Sequence, residues 1–145
     1  SEDLFLSRMR GEHTRKGYNH KEVTQVMMDQ KVVAGIGNYI KAEALYMAKI
    51  HPRAKIGDLS DDEIKELGRA CIWVIQASYK ARGATIRNYK LPNGDVGDYK
   101  FEFQVYSQKT DPDGNKVIRE ETADKRTTHW VPEIQTRGVT TQNHL

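Results

Sequence analysis

The sequence predicts a mainly α chain that closes with a small antiparallel β appendage. Apolar residues recur at helical spacing through roughly the first 80 positions, with helix-start signatures in front of them. After about residue 99 the period shortens to two. The turn signals Pro92-Asn93-Gly94 and Asp111-Pro112-Asp113-Gly114-Asn115 flank that change.

The elements follow in order. Ser1 is a candidate N-cap, with Asp3 in the first turn and Leu4, Leu6 and Met9 on one apolar face. Residues 11–17 read as a polar, basic linker. Asn19-His20-Lys21-Glu22 has the capping-box pattern and opens a helix carrying Val23, Val26, Met27 and Met28, expected to run on to Ala34. Gly35-Ile36-Gly37-Asn38 must break it. A further helix begins near Asn38, with Ile40, Ala44, Leu45, Tyr46 and Met47 on its buried side, and His51-Pro52 ends it. Ser60-Asp61-Asp62-Glu63 is a second capping box. Ile64, Leu67, Cys71, Val74, Ile75 and Ser78 then mark a long helix to about Lys80, and Gly83 stops it. Tyr99, Phe101, Phe103 and Val105 alternate with polar residues as in a half-buried strand. Residues 116–120 are its candidate partner, and 128–134 a last strand. The expected organisation is a helical unit over 1–90, a β appendage over 91–137 and a flexible tail over 138–145.

Composition narrows the function classes. The chain has 145 residues and a formal net charge of only +3, so overall charge does not mark a nucleic-acid binder and distribution matters more. Residues 79–90 hold four cations and no acid, whereas 58–66 hold five acids and one base, best read as a helix start. Lys125, Arg126 and Arg137 make a second basic cluster. Cys71 is the only cysteine, so neither an internal disulfide nor a thiolate zinc site can be built from it, which fits a reducing compartment. The five histidines show no metal-ligand spacing, and no metal or cofactor is expected. No apolar run is long enough to span a bilayer, so no membrane partner is expected.

Three constellations could carry chemistry. Gly35-Ile36-Gly37-Asn38 joins two helices; glycines let a phosphate approach the backbone, and the helix start offers unpaired N–H groups and a positive dipole end. A tight helix–helix turn capped by Asn38 would look the same. The basic loop 83–89, with Thr85 and Arg87, could grip a phosphate or close over a base, or be a plain connector. Lys125-Arg126-Thr127-Thr128-His129-Trp130 places an arginine at a ribbon tip, where its planar fork could hold phosphates; a solvated turn, with His129 a solvated strand residue, is the plainer reading.

The run from Met28 to Ile40, followed by Glu43-Ala44-Leu45 and Ile50-His51-Pro52, resembles the helix–two-turns–helix motif of the formamidopyrimidine-DNA glycosylase and endonuclease VIII family. Gly83-Ala84-Thr85-Ile86-Arg87 resembles a family loop, Gly97-Asp98-Tyr99 and Gln104-Val105-Tyr106 resemble the approach to its finger, and residues 125–130 resemble the finger's closing strand. The resemblance covers roughly 1–135. It implies a helix–two-turns–helix domain plus a finger, and a role in base-excision repair of oxidised bases.

By the same resemblance Asn38, with Gly35 and Gly37, would hold DNA phosphates, and Lys31 would reach towards the lesion. Thr85 and Arg87 would face the extruded base. Arg126 would hold the phosphates around the flipped nucleotide and assist δ-elimination as the catalytic residue of this part. The partner would be damaged double-stranded DNA, and the chain is expected to be monomeric.

Two departures stand out. Zinc-binding members carry Cys-x-x-Cys twice, but Val131 and Ile134 occupy the second pair here, so the finger is expected to be zincless and held by Val117, Trp130, Val131 and Ile134. The family nucleophile is an amino-terminal proline followed by glutamate; here Ser1-Glu2 stands at the expected interdomain junction and the first proline is Pro52. The chain is therefore expected to lack the amino-terminal catalytic domain and to bind DNA without cleaving it. A stand-alone helix–two-turns–helix module for ribosomal-type RNA is the alternative.

Overall fold

The computed structural model describes residues 1–84, 89–90, 96–97 and 101–139. Four α-helices, α1 (Glu2–Arg10), α2 (Val23–Met27), α3 (Asn38–Met47) and α4 (Asp61–Ala84), precede two short β ribbons. β1 (Tyr89–Lys90) pairs antiparallel with β2 (Val96–Gly97), and β3 (Ile118–Glu121) with β4 (Thr127–Trp130). The expected turn at 92–94 lies outside the described residues.

Helix α1 starts where expected: Ser1 Oγ accepts the Leu4 N–H at 3.2 Å, and two acids sit in the first turn. Gly11 ends it at φ 72, and a Cβ there would meet the Tyr18 ring at 2.6 Å, so only glycine fits. The Arg10 guanidinium ties this helix to α4. It donates to the carbonyls of Ile56 and Leu59 and to the Asp61 carboxylate, all within 2.8 Å.

Helix α2 corrects two expectations. No capping box forms, because Asn19 Oδ1 accepts from Arg10 and its carbonyl accepts from Gly57. Glu22 is the N-cap, without a side-chain bond. The helix also stops at Met27 instead of reaching Ala34. Asp29 intercepts it: its carboxylate takes the Lys31 N–H, and its carbonyl takes those of Val32 and Val33.

The second capping box forms as read. Ser60 Oγ accepts from the Glu63 N–H at 3.1 Å, and Glu63 Oε1 from the Ser60 N–H at 2.8 Å. The main core gathers Met9, Val26, Met27, Ile40, Leu45, Ile64, Leu67 and Val74 between the helices. Met47 and Ile75, expected inside, are exposed.

The expected strand at 99–105 does not form in its described part, 101–105. The Glu43 carboxylate takes the N–H groups of Gln104, Val105 and Tyr106 at 2.8–2.9 Å, so these donors are unavailable to a ladder. The partner of β3 is instead β4, closed by the turn 122–126. A second small core of Ala42, Val105, Val117 and Val131, with Tyr46, Tyr106 and Ile134 against it, joins α3 to this ribbon. Three of the four finger residues expected to replace metal ligands pack here. Trp130 packs elsewhere, on His51.

The chain returns to the helical part after β4. Gln135 donates to the Ile50 carbonyl, and Arg137 pairs with Glu63 and Glu66 of α4. Arg137 thus neutralises the acidic helix start and does not belong to a basic cluster with Arg126. Gly138 still packs, against Ala54 and Leu59. The remainder of the expected tail, 140–145, lies outside the described residues.

Candidate nucleic-acid interface

The glycine hinge is built by side-chain brackets. Gln30 accepts the Gly35 N–H and donates to the Ile36 carbonyl, each at 3.2 Å, while Gly35 adopts φ 90. Open space surrounds a Cβ built on Gly35, so conformation alone demands glycine there. Gly37, not Asn38, is the N-cap of α3; its backbone is extended and no side chain caps the helix. The first-turn N–H groups of a ten-residue helix are thus left for an outside acceptor.

Asn38 reaches the ribbon. Its Nδ2 donates to the Thr127 carbonyl at 3.0 Å, one residue beyond Arg126. Beneath it lies an ion pair that sequence reasoning missed: Lys41 Nζ meets Asp124 Oδ2 at 2.7 Å, with both side chains at most 1% exposed. The same ammonium donates to the Thr127 carbonyl at 3.4 Å. Thr122 completes the network, donating to Asp124 and sharing a 2.7 Å bond with Thr128. Burial pushes the Lys41 amine below its ordinary value, and Asp124 opposes that shift.

The turn that this network holds presents Arg126. Lys125 sits in the left-handed region at φ 64, and Arg126 accepts at its carbonyl from the Thr122 N–H at 3.1 Å while its side chain is exposed. Among the described residues no ion pair involves the Arg126 guanidinium.

The structure therefore brings together the hinge, Asn38 and the Arg126 turn. Lys31 is exposed and borders a hollow shared with Ser1, Phe5 and Ile72, next to Gln30. Thr85 and Arg87 lie outside the described residues. A groove of about 720 Å³ opens beside Asn38 and Thr127 and is bordered by Arg119, Lys116, Lys109 and His129. Periodicity offered no signal for these residues, because their proximity depends on the ribbon's register.

His129 is not solvated as expected. It is half-buried, edge-on to Tyr106 at 5.4 Å, with a buried Nδ1 that has no partner. Burial lowers its pKa below 6.5, and the Arg119 and Lys41 cations add to the effect. Burial also lowers His51, which accepts the Arg53 N–H at 3.0 Å; Glu120 opposes that shift and Arg53 adds to it. Both folded rings thus bind protons less readily than unfolded ones. Folding stability is retained above the unfolded value near 6.5 and declines as pH falls through it towards the lower folded values. Urea midpoints are expected to be lower at pH 6 than at pH 7.5, and the gap to shrink in a His51→Asn, His129→Gln double variant. Equal midpoints in the parent chain would contradict this.

The described side chains offer no metal centre: no three His, Cys, Asp or Glu groups converge, and Val131 and Ile134 cannot replace thiolates. The Cys71 thiol is buried, which pushes its pKa up to about 12.

Comparison with known proteins settles the lineage. The family model described as the formamidopyrimidine-DNA glycosylase H2TH domain matches residues 1–90. The chain belongs to that family. The model of the family's C-terminal domain matches residues 92–136. The formamidopyrimidine-DNA glycosylases of Enterococcus faecalis and Bacillus subtilis are 34% and 33% identical over 120 and 125 residues, covering 81% and 85% of this chain but 42% and 45% of theirs. The chain thus spans less than half the length of these family relatives. A Lactococcus lactis Fpg mutant complexed with Fapy-dG-containing DNA superposes with a TM-score of 0.69 at 31% identity, covering 94% of this chain and 48% of that one. A viral DNA glycosylase shares the fold at 0.76 and 24% identity, covering 94% and 46%. The helix–two-turns–helix plus finger architecture inferred from the sequence is the architecture of this family.

Proposed function

We propose that this chain is the DNA-clamping, carboxyl-terminal part of a bifunctional DNA glycosylase/AP lyase of base-excision repair, working as a monomer on damaged duplex DNA. The observation that carries this is the 3.0 Å bond from Asn38 to the Thr127 carbonyl. It joins the uncapped start of α3 and the turn that offers Arg126 in one surface, so one strand can touch both.

The division of labour follows from the chemistry. A lesion in the stack is out of reach, so its nucleotide must be extruded, and extrusion requires a held, bent backbone. The α3 N–H groups and Arg126 supply donors for phosphates on the two sides of such a nucleotide. Arg126, near the sugar, would also favour departure of the phosphate during δ-elimination. Lys31 would work from the Ser1 side of the helical part, where an amino-terminal half carrying the nucleophile would lie. The helical unit over 1–90 and the finger over 91–137 are proposed as the two arms of the clamp. Support comes from the Lactococcus lactis Fpg structures bound to Fapy-dG-containing and abasic-site DNA, which share this fold.

The test is DNA affinity. The chain is expected to bind duplex DNA weakly, with little preference for an abasic analogue over intact sequence. Arg126→Ala should weaken binding about tenfold, as loss of a charge-assisted contact implies, and leave the melting temperature nearly unchanged. Tighter binding to structured RNA than to duplex DNA would overturn the reading. A large drop in melting temperature would show that Arg126 is structural instead.

A further inference from the structure

The groove beside the clamp gathers cations without a carboxylate among them. Several cations of the helical part and ribbon edge face a carboxylate: Arg10 with Asp61, Arg53 with Glu120, Lys65 with Asp3, Arg69 with Glu2 and Arg137 with Glu66. The groove is lined by Lys109, Lys116 and Arg119, and none of its lining residues carries a carboxylate. None of the three joins an ion pair among the described residues. Three exposed cations left together cost repulsion, which an anionic ligand would relieve.

Their order along the ribbon identifies the shape of that ligand. In the β3–β4 register Glu121 faces Thr127 and Arg119 faces His129. Farther along, Lys116 and Lys109 lie side by side, since Lys116 bridges Thr110 and Val117 donates to the Lys109 carbonyl. The sequence from the tip is therefore Arg126, then Asn38 at Thr127, then Arg119, then the lysine pair. From residue 121 to residue 116 extended chain covers about 17 Å, which is about the axial rise of five base pairs. A compact anion would meet one cation of this row; a backbone of repeating phosphates meets all of them.

We propose that this groove carries the phosphodiester backbone of the DNA strand as it leaves the clamp, with Arg119, Lys116 and Lys109 as additional phosphate contacts. The proposal rests on the clamp reading above and extends its footprint down the finger.

Salt dependence tests it. Affinity of the 145-residue chain for a duplex with a central abasic analogue is measured across potassium chloride concentrations, for the parent and an Arg119→Gln, Lys116→Gln double variant. Lys65→Gln, whose ammonium faces Asp3 of α1, serves as the charge-matched control. The logarithmic slope is expected to fall by roughly two in the double variant, close to one per lost phosphate contact, with the control and the melting temperatures unchanged. An unchanged slope, or an equal change in the control, would overturn the proposal. If Arg126→Ala weakens binding while the double variant does not, the groove fails and the clamp stands. If the parent binds duplex DNA without salt dependence, the clamp reading itself fails. Preferential displacement of duplex by structured RNA that is lost in the double variant would assign the groove to RNA and refute the DNA assignment.

Discussion

Replacing Lys41 by methionine is expected to destabilise the chain by about 3–5 kcal/mol, the usual cost of stranding one member of a buried ion pair. Methionine keeps the length and apolar stem of lysine, so packing is nearly preserved and the loss is electrostatic. The Asp124 side chain, 1% exposed, would keep only its bond from Thr122, and the Thr127 carbonyl would lose one of its two donors. A small domain is stable by roughly 5–15 kcal/mol in total, so urea unfolding should show the loss clearly. Adding Asp124→Asn should recover part of it, because the stranded charge is then gone. The sign of that rescue separates an ion pair from simple core packing. Hydrogen exchange should quicken first at 122–127, the turn that presents Arg126. A loss below about 1 kcal/mol would mean that the turn is held by its own hairpin.

Much of this was legible in the sequence, for identifiable reasons. Helix starts announce themselves locally: the Ser1 cap and the Ser60–Glu63 box depend on residues three apart, and both formed. The expected fold class, the glycine hinge before α3 and the loop around Asp111 also stand. Long-range competition for donors and acceptors was not legible. Asn19 has the right spacing for a cap, but Arg10 and Gly57 occupy it. Arg137 looks like part of a basic patch in one dimension and neutralises α4 in three. The groove cations come from a loop and a strand whose register no single-sequence pattern encodes. The one available hint for the buried network was a charged residue inside an apolar helix face. Lys41 and Glu43 both lie in Ile40–Leu45, every residue of which is buried.

Glu43 carries the second large effect. Its two carboxylate oxygens accept from three consecutive backbone N–H groups: Oε1 from Gln104 at 2.8 Å, and Oε2 from Val105 and Tyr106, each at 2.9 Å. One side chain of α3 thereby does the work of a neighbouring strand, and it fixes Val105 and Tyr106 against Ala42 and Val117. Glu43→Ala removes every acceptor at once and strands donors of which the Val105 N–H is buried. At about 1–3 kcal/mol per orphaned buried donor, with exposed donors costing less because water can reach them, the expected loss is roughly 3–4 kcal/mol. Glu43→Gln keeps one oxygen, but its amide brings an NH₂ against N–H groups, so it should recover under half of the loss. Glu43→Asp keeps the charge with a shorter reach and should fall between the two. Because Tyr106 borders the groove and Asn38 lies on the same helix, the alanine variant should also weaken DNA binding at temperatures where it remains folded. Circular dichroism melts and urea titrations of the three variants check the order. If Gln matches Glu, the carboxylate charge is dispensable, and a single neutral acceptor is enough to hold the segment 101–106.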